Sequence, residues 1–116
     1  MKLCLVTGAT GCVGSHVAER LIAEGHHVRT LVRPSSDTRL IDQWGVEKIE
    51  GDLTDTAALR RAAEGVNLIV HCAAKVGDWG PVDEYRRANV EGTRVLLETA
   101  AGQKLDRFVH VSSLGV

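Results

Sequence analysis

No excess of either charge marks this sequence: 14 Lys and Arg face 15 Asp and Glu, a formal net charge of −1. The basic residues form no cluster or stripe, so the electrostatic footprint that a nucleic-acid backbone requires is missing. A small molecule or another protein is the expected partner. Long apolar runs are missing too. The first strand pattern begins almost at Met1 and reaches Gly8 within a few residues, which leaves no room for the apolar core of a signal peptide. No segment is long enough to cross a bilayer, so a cytoplasmic protein without a membrane partner is expected. The three cysteines, Cys4, Cys12 and Cys72, form no Cys-x-x-Cys pair and have no cluster of metal ligands beside them, and no metal site is expected. Cys4 and Cys72 lie in apolar strand patterns, where a buried thiol acts as a small hydrophobe. Cys12 lies at a helix start, where a thiolate would be stabilised or where the residue simply offers its backbone N–H. Internal repeats and low-complexity segments are absent, and residues 1–116 read as one domain with room for a core.

What is present is organised around Val6-Thr7-Gly8-Ala9-Thr10-Gly11-Cys12-Val13-Gly14. A short apolar strand runs into three glycines spaced by threes, and an amphipathic segment follows. A side chain at each glycine would obstruct a different thing: the tight turn, the approach of backbone to a pyrophosphate, or the packing of the new helix on the strand. A helix starting here would turn unpaired N–H groups and the positive end of its dipole toward an anion. Three glycines alone also fit a structural turn, so the context has to decide.

That context is an alternation of strands and helices. Residues 2–7 read as strand one, and 13–24 as a helix with Val13, Val17, Leu21 and Ile22 at helical spacing and Gly25 as its stop. Residues 28–32 read as strand two, ended by Pro34. Ser36 is a candidate cap for a short helix with Leu40, Ile41 and Trp44 inward and Gly45 closing it. Strand three covers 46–49 and runs into Gly51-Asp52-Leu53, with Thr54 as the expected N-cap of a helix over 55–64. Strand four, Leu-Ile-Val-His-Cys at 68–72, reads as buried on both faces. A long helix is expected over 82–101, with Tyr85, Ala88, Gly92, Val95, Leu96 and Thr99 along one side, and strand five over 108–111. With right-handed crossovers this pattern gives an α/β fold, a Rossmann-type doubly wound parallel sheet of about five strands.

Coenzyme choice in such a fold is set at the end of strand two. An acidic residue about 20 positions past the last glycine binds the ribose 2′-hydroxyl, whereas arginine accommodates a 2′-phosphate. Arg33 stands at that distance from Gly14, with Ser35 and Ser36 beside it, and a guanidinium matches phosphate geometry. NADP is therefore preferred over NAD, with Asp37 left as a residue that could swing to the ribose instead.

Taken together, Thr7-Gly8-Ala9-Thr10-Gly11-Cys12-Val13-Gly14, Gly51-Asp52-Leu53, His71-Cys72-Ala73-Ala74, Asn89-Val90-Glu91-Gly92-Thr93 and Val109-His110-Val111-Ser112-Ser113 resemble the extended short-chain dehydrogenase/reductases. Within that family they are similar to the NAD-dependent epimerase/dehydratase and 3β-hydroxysteroid dehydrogenase-like groups. The pieces occur in the family's order over essentially the whole chain. The resemblance implies a dinucleotide site in which Gly8, Thr10, Gly11 and Gly14 shape the turn and Cys12 and Val13 donate backbone N–H groups to the pyrophosphate. Asp52 would take the adenine amino group and Leu53 would lie against the ring. Ala73 and Ala74 would pass under the nicotinamide ribose, Asn89 would help fix the coenzyme side of the site, and Ser113 would hydrogen-bond the substrate oxygen. The loop at 75–81, with Trp79 offering a flat apolar surface, resembles that of the steroid-dehydrogenase-like members more than that of the sugar-nucleotide epimerases.

The family's Tyr-x-x-x-Lys pair is lacking: the single tyrosine is Tyr85, and Asn89 stands four residues on. The resemblance therefore implies the N-terminal, coenzyme-binding portion of a longer architecture, ending before its sixth strand and substrate lobe. Such a portion, of a parent acting on a carbonyl/alcohol pair or a sugar nucleotide, would hold coenzyme without turnover. The alternative is a non-catalytic coenzyme sensor. A homo-oligomer is expected, because the unpartnered edge at strand five invites pairing with another chain.

Overall fold

A computed structural model of the chain describes residues 2–72, 91–103 and 105–111. Among these residues five strands and four helices alternate: β1 (Leu3–Thr7), α1 (Cys12–Ala23), β2 (His27–Val32), α2 (Arg39–Asp42), β3 (Glu47–Glu50), α3 (Thr56–Ala63), β4 (Leu68–His71), α4 (Gly92–Ala101) and β5 (Arg107–His110). The strands form one sheet in the order β3-β2-β1-β4-β5, every neighbouring pair parallel. This is the α/β Rossmann-like sheet that the alternating pattern predicts. Within the long helix expected over 82–101, residues 82–90, Tyr85 and Ala88 included, lie outside the described residues, as does the Trp79 loop.

β1 sits at the centre because it is apolar on both faces, and a strand covered on both sides is what a parallel sheet needs. Side chains alternate across it. Leu5 joins Leu59, Ala62, Ile69, Val95 and Leu96 in the core under α3 and α4. Val6 joins Ala18, Val28, Ile41 and Val70 in the core under α1 and α2. Thr30, at the middle of β2, is fully buried and donates its hydroxyl to the Val6 carbonyl at 2.7 Å, so its burial leaves no unmet hydrogen bond.

Two capping expectations are corrected. Asp55, not Thr54, caps α3: its Oδ1 accepts the Ala58 N–H at 3.1 Å. The Asp55 N–H donates to the Asp52 carbonyl at 2.9 Å, and this extra turn delays the helix by one residue. Ser36 is not the cap of α2, which starts after Thr38. Its hydroxyl instead accepts the Arg33 N–H at 3.2 Å, closing the turn through Pro34. A helix of four residues has a single inward position, so Ile41 is buried while Leu40 is half exposed and Trp44 only partly covered. Gly25 ends α1 as expected, at a φ of 89° that side chains rarely adopt.

The carboxyl end of α3 is held from two sides. Arg29 of β2, its side chain largely covered, donates to the carbonyls of Ala62 (3.0 Å) and Glu64 (2.8 Å) and pairs with Glu47 on β3. Gln103, after α4, donates to the Ala63 carbonyl (2.6 Å) and accepts the Gly65 N–H. These contacts tie the end of α3 to β2 and to the residues after α4.

Candidate functional site

In an open parallel sheet, the strands' carboxyl ends border the ligand crevice. At the end of β1 the chain turns through Gly8, whose φ of 74° favours glycine, and the Gly11 N–H donates back to the Gly8 carbonyl at 2.9 Å. Gly11 then caps α1 with extended backbone and no side-chain acceptor, and no acidic residue stands in the first turn. The first-turn N–H groups of Cys12, Val13 and Gly14 have no carbonyl one turn earlier in the helix, and the positive dipole end adds to them. Gly14 rests directly on the turn: a Cβ there would lie 2.0 Å from the Gly8 oxygen and 2.5 Å from its carbonyl carbon. At Gly11 it would lie 3.3 Å from the same oxygen. Ala9 is buried, and Thr10 and Val13 are exposed. Bare backbone, close packing and uncapped N–H groups in one place fit the phosphates of a dinucleotide.

At the end of β2, Arg33 is exposed at the turn closed by Ser36. Asp37, the other residue considered for the ribose, is engaged by Arg39 through both carboxylate oxygens. Those hydrogen bonds bring its pKa down to about 2. At the end of β3, the Gly51 N–H donates to the Val32 carbonyl at 2.8 Å. A Cβ on Gly51 would lie 2.4 Å from that of Ala58, so the glycine lets α3 press against this strand end. Asp52 is exposed and accepts the Leu53 N–H at 2.6 Å, while Leu53 is buried in the core with Leu59.

At the ends of β4 and β1 the structure shows a network that the motif analysis did not single out. His71, 1% exposed, sets its Nδ1 2.7 Å from the Thr7 hydroxyl and its Nε2 3.0 Å from the Thr93 hydroxyl of α4. Thr7 also accepts the Cys72 N–H at 3.0 Å. His110 of β5 stacks on the imidazole at 5.2 Å, and Phe108 meets it at a tilt. Burial first, and the neighbouring His110 second, push the His71 pKa down to about 4. The ring is therefore neutral at pH 7, with one donor and one acceptor nitrogen for its two hydroxyl partners. The sequence signal was a histidine inside the apolar run Leu-Ile-Val-His-Cys, since a polar side chain in a doubly covered strand must find partners.

Of the residues expected at the site, Gly8, Thr10, Gly11, Cys12, Val13, Gly14, Arg33, Asp52 and Leu53 all lie at the carboxyl edge of β1, β2 and β3. Ala73, Ala74, Asn89 and Ser113 lie outside the described residues. Burial raises the thiol pKa values of Cys4 and Cys72, in keeping with their reading as small hydrophobes. Among the described residues no cluster of three or more His, Cys, Asp or Glu could hold a metal ion, and no helix is long and apolar enough to cross a membrane.

Comparison with known proteins bears on this geometry. The sequence model described as the NAD dependent epimerase/dehydratase family matches residues 4–116. Sterol demethylase protein B of Methylococcus capsulatus is 42% identical over 112 residues, which are 96% of this chain and 34% of that protein. The 2-alkyl-3-oxoalkanoate reductase of Stenotrophomonas maltophilia is 36% identical over 116 residues, 100% of this chain and 34% of that protein. The chain thus spans about a third of the length of these relatives. Among solved structures, a short-chain dehydrogenase/reductase superfamily protein from Agrobacterium tumefaciens with bound NAD superposes with a TM-score of 0.80 at 38% identity, covering 96% of this chain and 32% of that one.

Proposed function

The chain belongs to the NAD dependent epimerase/dehydratase family, and on that premise we propose that it forms the dinucleotide-holding part of an oxidoreductase acting on a carbonyl/alcohol pair. The observation that carries this reading is the seating of Gly14 on the Gly8 carbonyl at the end of the central strand. It brings the first turn of α1 against the glycine turn, where a pyrophosphate would meet backbone N–H groups. Cys12 and Val13 donate backbone N–H groups there, and Gly8, Thr10 and Gly11 shape the turn around them. Asp52 and Leu53 border the adenine end, and Ala73, Ala74 and Asn89 the nicotinamide end. When bound, the coenzyme supplies the hydride chemistry, and the protein supplies binding and orientation. Ser113 is assigned to the substrate oxygen. A carbonyl substrate is supported by the relative named as a 2-alkyl-3-oxoalkanoate reductase.

NADP is the preferred coenzyme in this reading. Arg33 is exposed at the end of β2, and the one nearby carboxylate considered for the ribose, Asp37, is held by Arg39. Calorimetric titration of the chain with NADPH and NADH tests both levels. Failure to bind either refutes the dinucleotide site, and equal affinities or tighter NADH refute the role of Arg33. Self-association is also proposed, because β5 is an edge strand with Val109 and Val111 exposed. Light scattering that shows a monomer at high concentration refutes it.

A further inference from the structure

We propose that His71 is a positioning residue for the coenzyme turn: its imidazole, bridging the hydroxyls of Thr7 and Thr93, locks the end of β1 to β4 and to the first turn of α4. The inference rests on the dinucleotide reading above and deepens it. Thr7 is the last residue of β1 and the one from which the glycine turn departs. Its hydroxyl reaches His71 Nδ1 at 2.7 Å and accepts the Cys72 N–H at 3.0 Å. The strand carrying the phosphate turn and the strand leading to Ala73 and Ala74 are thereby clamped by the side chains of their last paired residues, Thr7 and His71. The second nitrogen extends the clamp to Thr93, on the first turn of α4, at 3.0 Å. His110 and Phe108 hold the ring from β5.

A valine or leucine at position 71 would continue the apolar run of β4 and avoid desolvating an imidazole. A buried polar ring with both nitrogens matched instead selects one geometry out of the several that an apolar core tolerates. Every element that the network joins borders the proposed site, and each is joined at its site end. The predicted consequence concerns affinity more than fold, because a coenzyme is held by groups spread over several strand ends and tolerates little error in their spacing.

The test compares three substitutions in the chain by coenzyme titration, with folding followed by circular dichroism. His71→Phe keeps bulk and stacking but loses both hydrogen bonds. His71→Asn places an amide near the Nδ1 position and keeps the Thr7 arm, whereas His71→Gln reaches toward Thr93. His71→Phe is expected to weaken NADPH and NADH binding by about tenfold, the loss of one buried hydrogen bond expressed as affinity. His71→Asn is expected to recover most of it and His71→Gln little. Faster hydrogen exchange of the Cys72 amide in His71→Phe, without coenzyme present, is the second readout. Wild-type affinity and wild-type Cys72 exchange in a folded His71→Phe overturn the proposal. If that variant does not fold, Thr7→Val against Thr7→Ser decides: equal affinities overturn it, and loss in valine with rescue in serine supports it. If the wild-type chain binds neither coenzyme, the dinucleotide reading fails. The proposal fails with it, even where slowed Cys72 exchange shows the lock itself intact.

Discussion

Adding one methyl group at Gly14 is the sharpest perturbation of the phosphate turn. The new Cβ would stand 2.0 Å from the Gly8 oxygen, 2.5 Å from the Gly8 carbonyl carbon and 3.0 Å from the Ala9 nitrogen, all backbone atoms that cannot rotate away. Real Cβ contacts essentially never fall under 3.0 Å, so α1 must back off from the turn by about the difference, roughly 1 Å. That shift drags Ala18, buried against Val6 and Val28, out of register with the sheet. Overpacking of this kind costs about 2 kcal/mol, or roughly 10 °C in Tm for a domain of this size. Coenzyme affinity suffers more, by about a hundredfold for a 1 Å misplacement of the positioning backbone. Gly11→Ala is the internal control for stability, because its Cβ meets the same oxygen at 3.3 Å, a distance that a small adjustment relieves. Thermal unfolding and calorimetric titration of both variants measure the two effects. If Gly14→Ala melts as Gly11→Ala does, the close approach of α1 to the turn is not what requires glycine there.

Three further outcomes are expected. The His71 pKa lies near 4 in the folded chain, lowered first by burial and then by His110, against an ordinary 6.5; the unfolded chain therefore takes up a proton between these values that the folded one refuses. Stability falls as pH drops from 6.5 to 4, by about 3 kcal/mol in all, and His71→Phe removes that part of the slope. Denaturant titrations of both chains at several pH values across the window check this, and parallel curves refute it. Asp37 and Asp42, whose pKa values are lowered by hydrogen bonds to Arg39 and Lys48, are common to both chains and do not mask the difference. Arg29→Met removes charge-assisted bonds to the last carbonyls of α3 while keeping the aliphatic stem, and costs about 1–2 kcal/mol by urea unfolding. Asp55→Ala costs about 1 kcal/mol in the same assay, whereas Thr54→Ala leaves stability unchanged, since Asp55 alone accepts from the first turn.

Features that a residue carries locally were legible in the sequence. The apolar runs at β1 and β4 announced doubly covered strands, and their alternation with helical periodicity was enough for a parallel sheet wound on both faces. The helix starts were misjudged by one or two residues, as at Thr56 and Arg39, because Ser, Thr and Asp compete for cap positions. Which of them wins depends on the turn before the helix: the Asp52–Asp55 turn passes over Thr54, and the Arg33–Ser36 turn takes the Ser36 hydroxyl.

The glycine turn and the His71 network differ in how far apart along the chain their parts lie. Gly8, Gly11 and Gly14 meet within one turn of helix, so their spacing alone foretold that one would bend the chain and one would carry a close contact. The structure assigns those tasks, with the positive φ at Gly8 and the tightest approach at Gly14. His71 finds its partners 64 and 22 residues away. A sequence pattern can show that a histidine in an apolar strand needs partners, but not that they are hydroxyls closing the ends of β1 and α4. Only the parallel register that sets Thr7 beside His71 supplies that. A site built at strand ends is legible where its backbone is specialised and illegible where it is braced by side chains from other strands. It follows that substitutions at Thr7, His71 and Thr93 should perturb this site although the sequence alone gives none of the three a role in it.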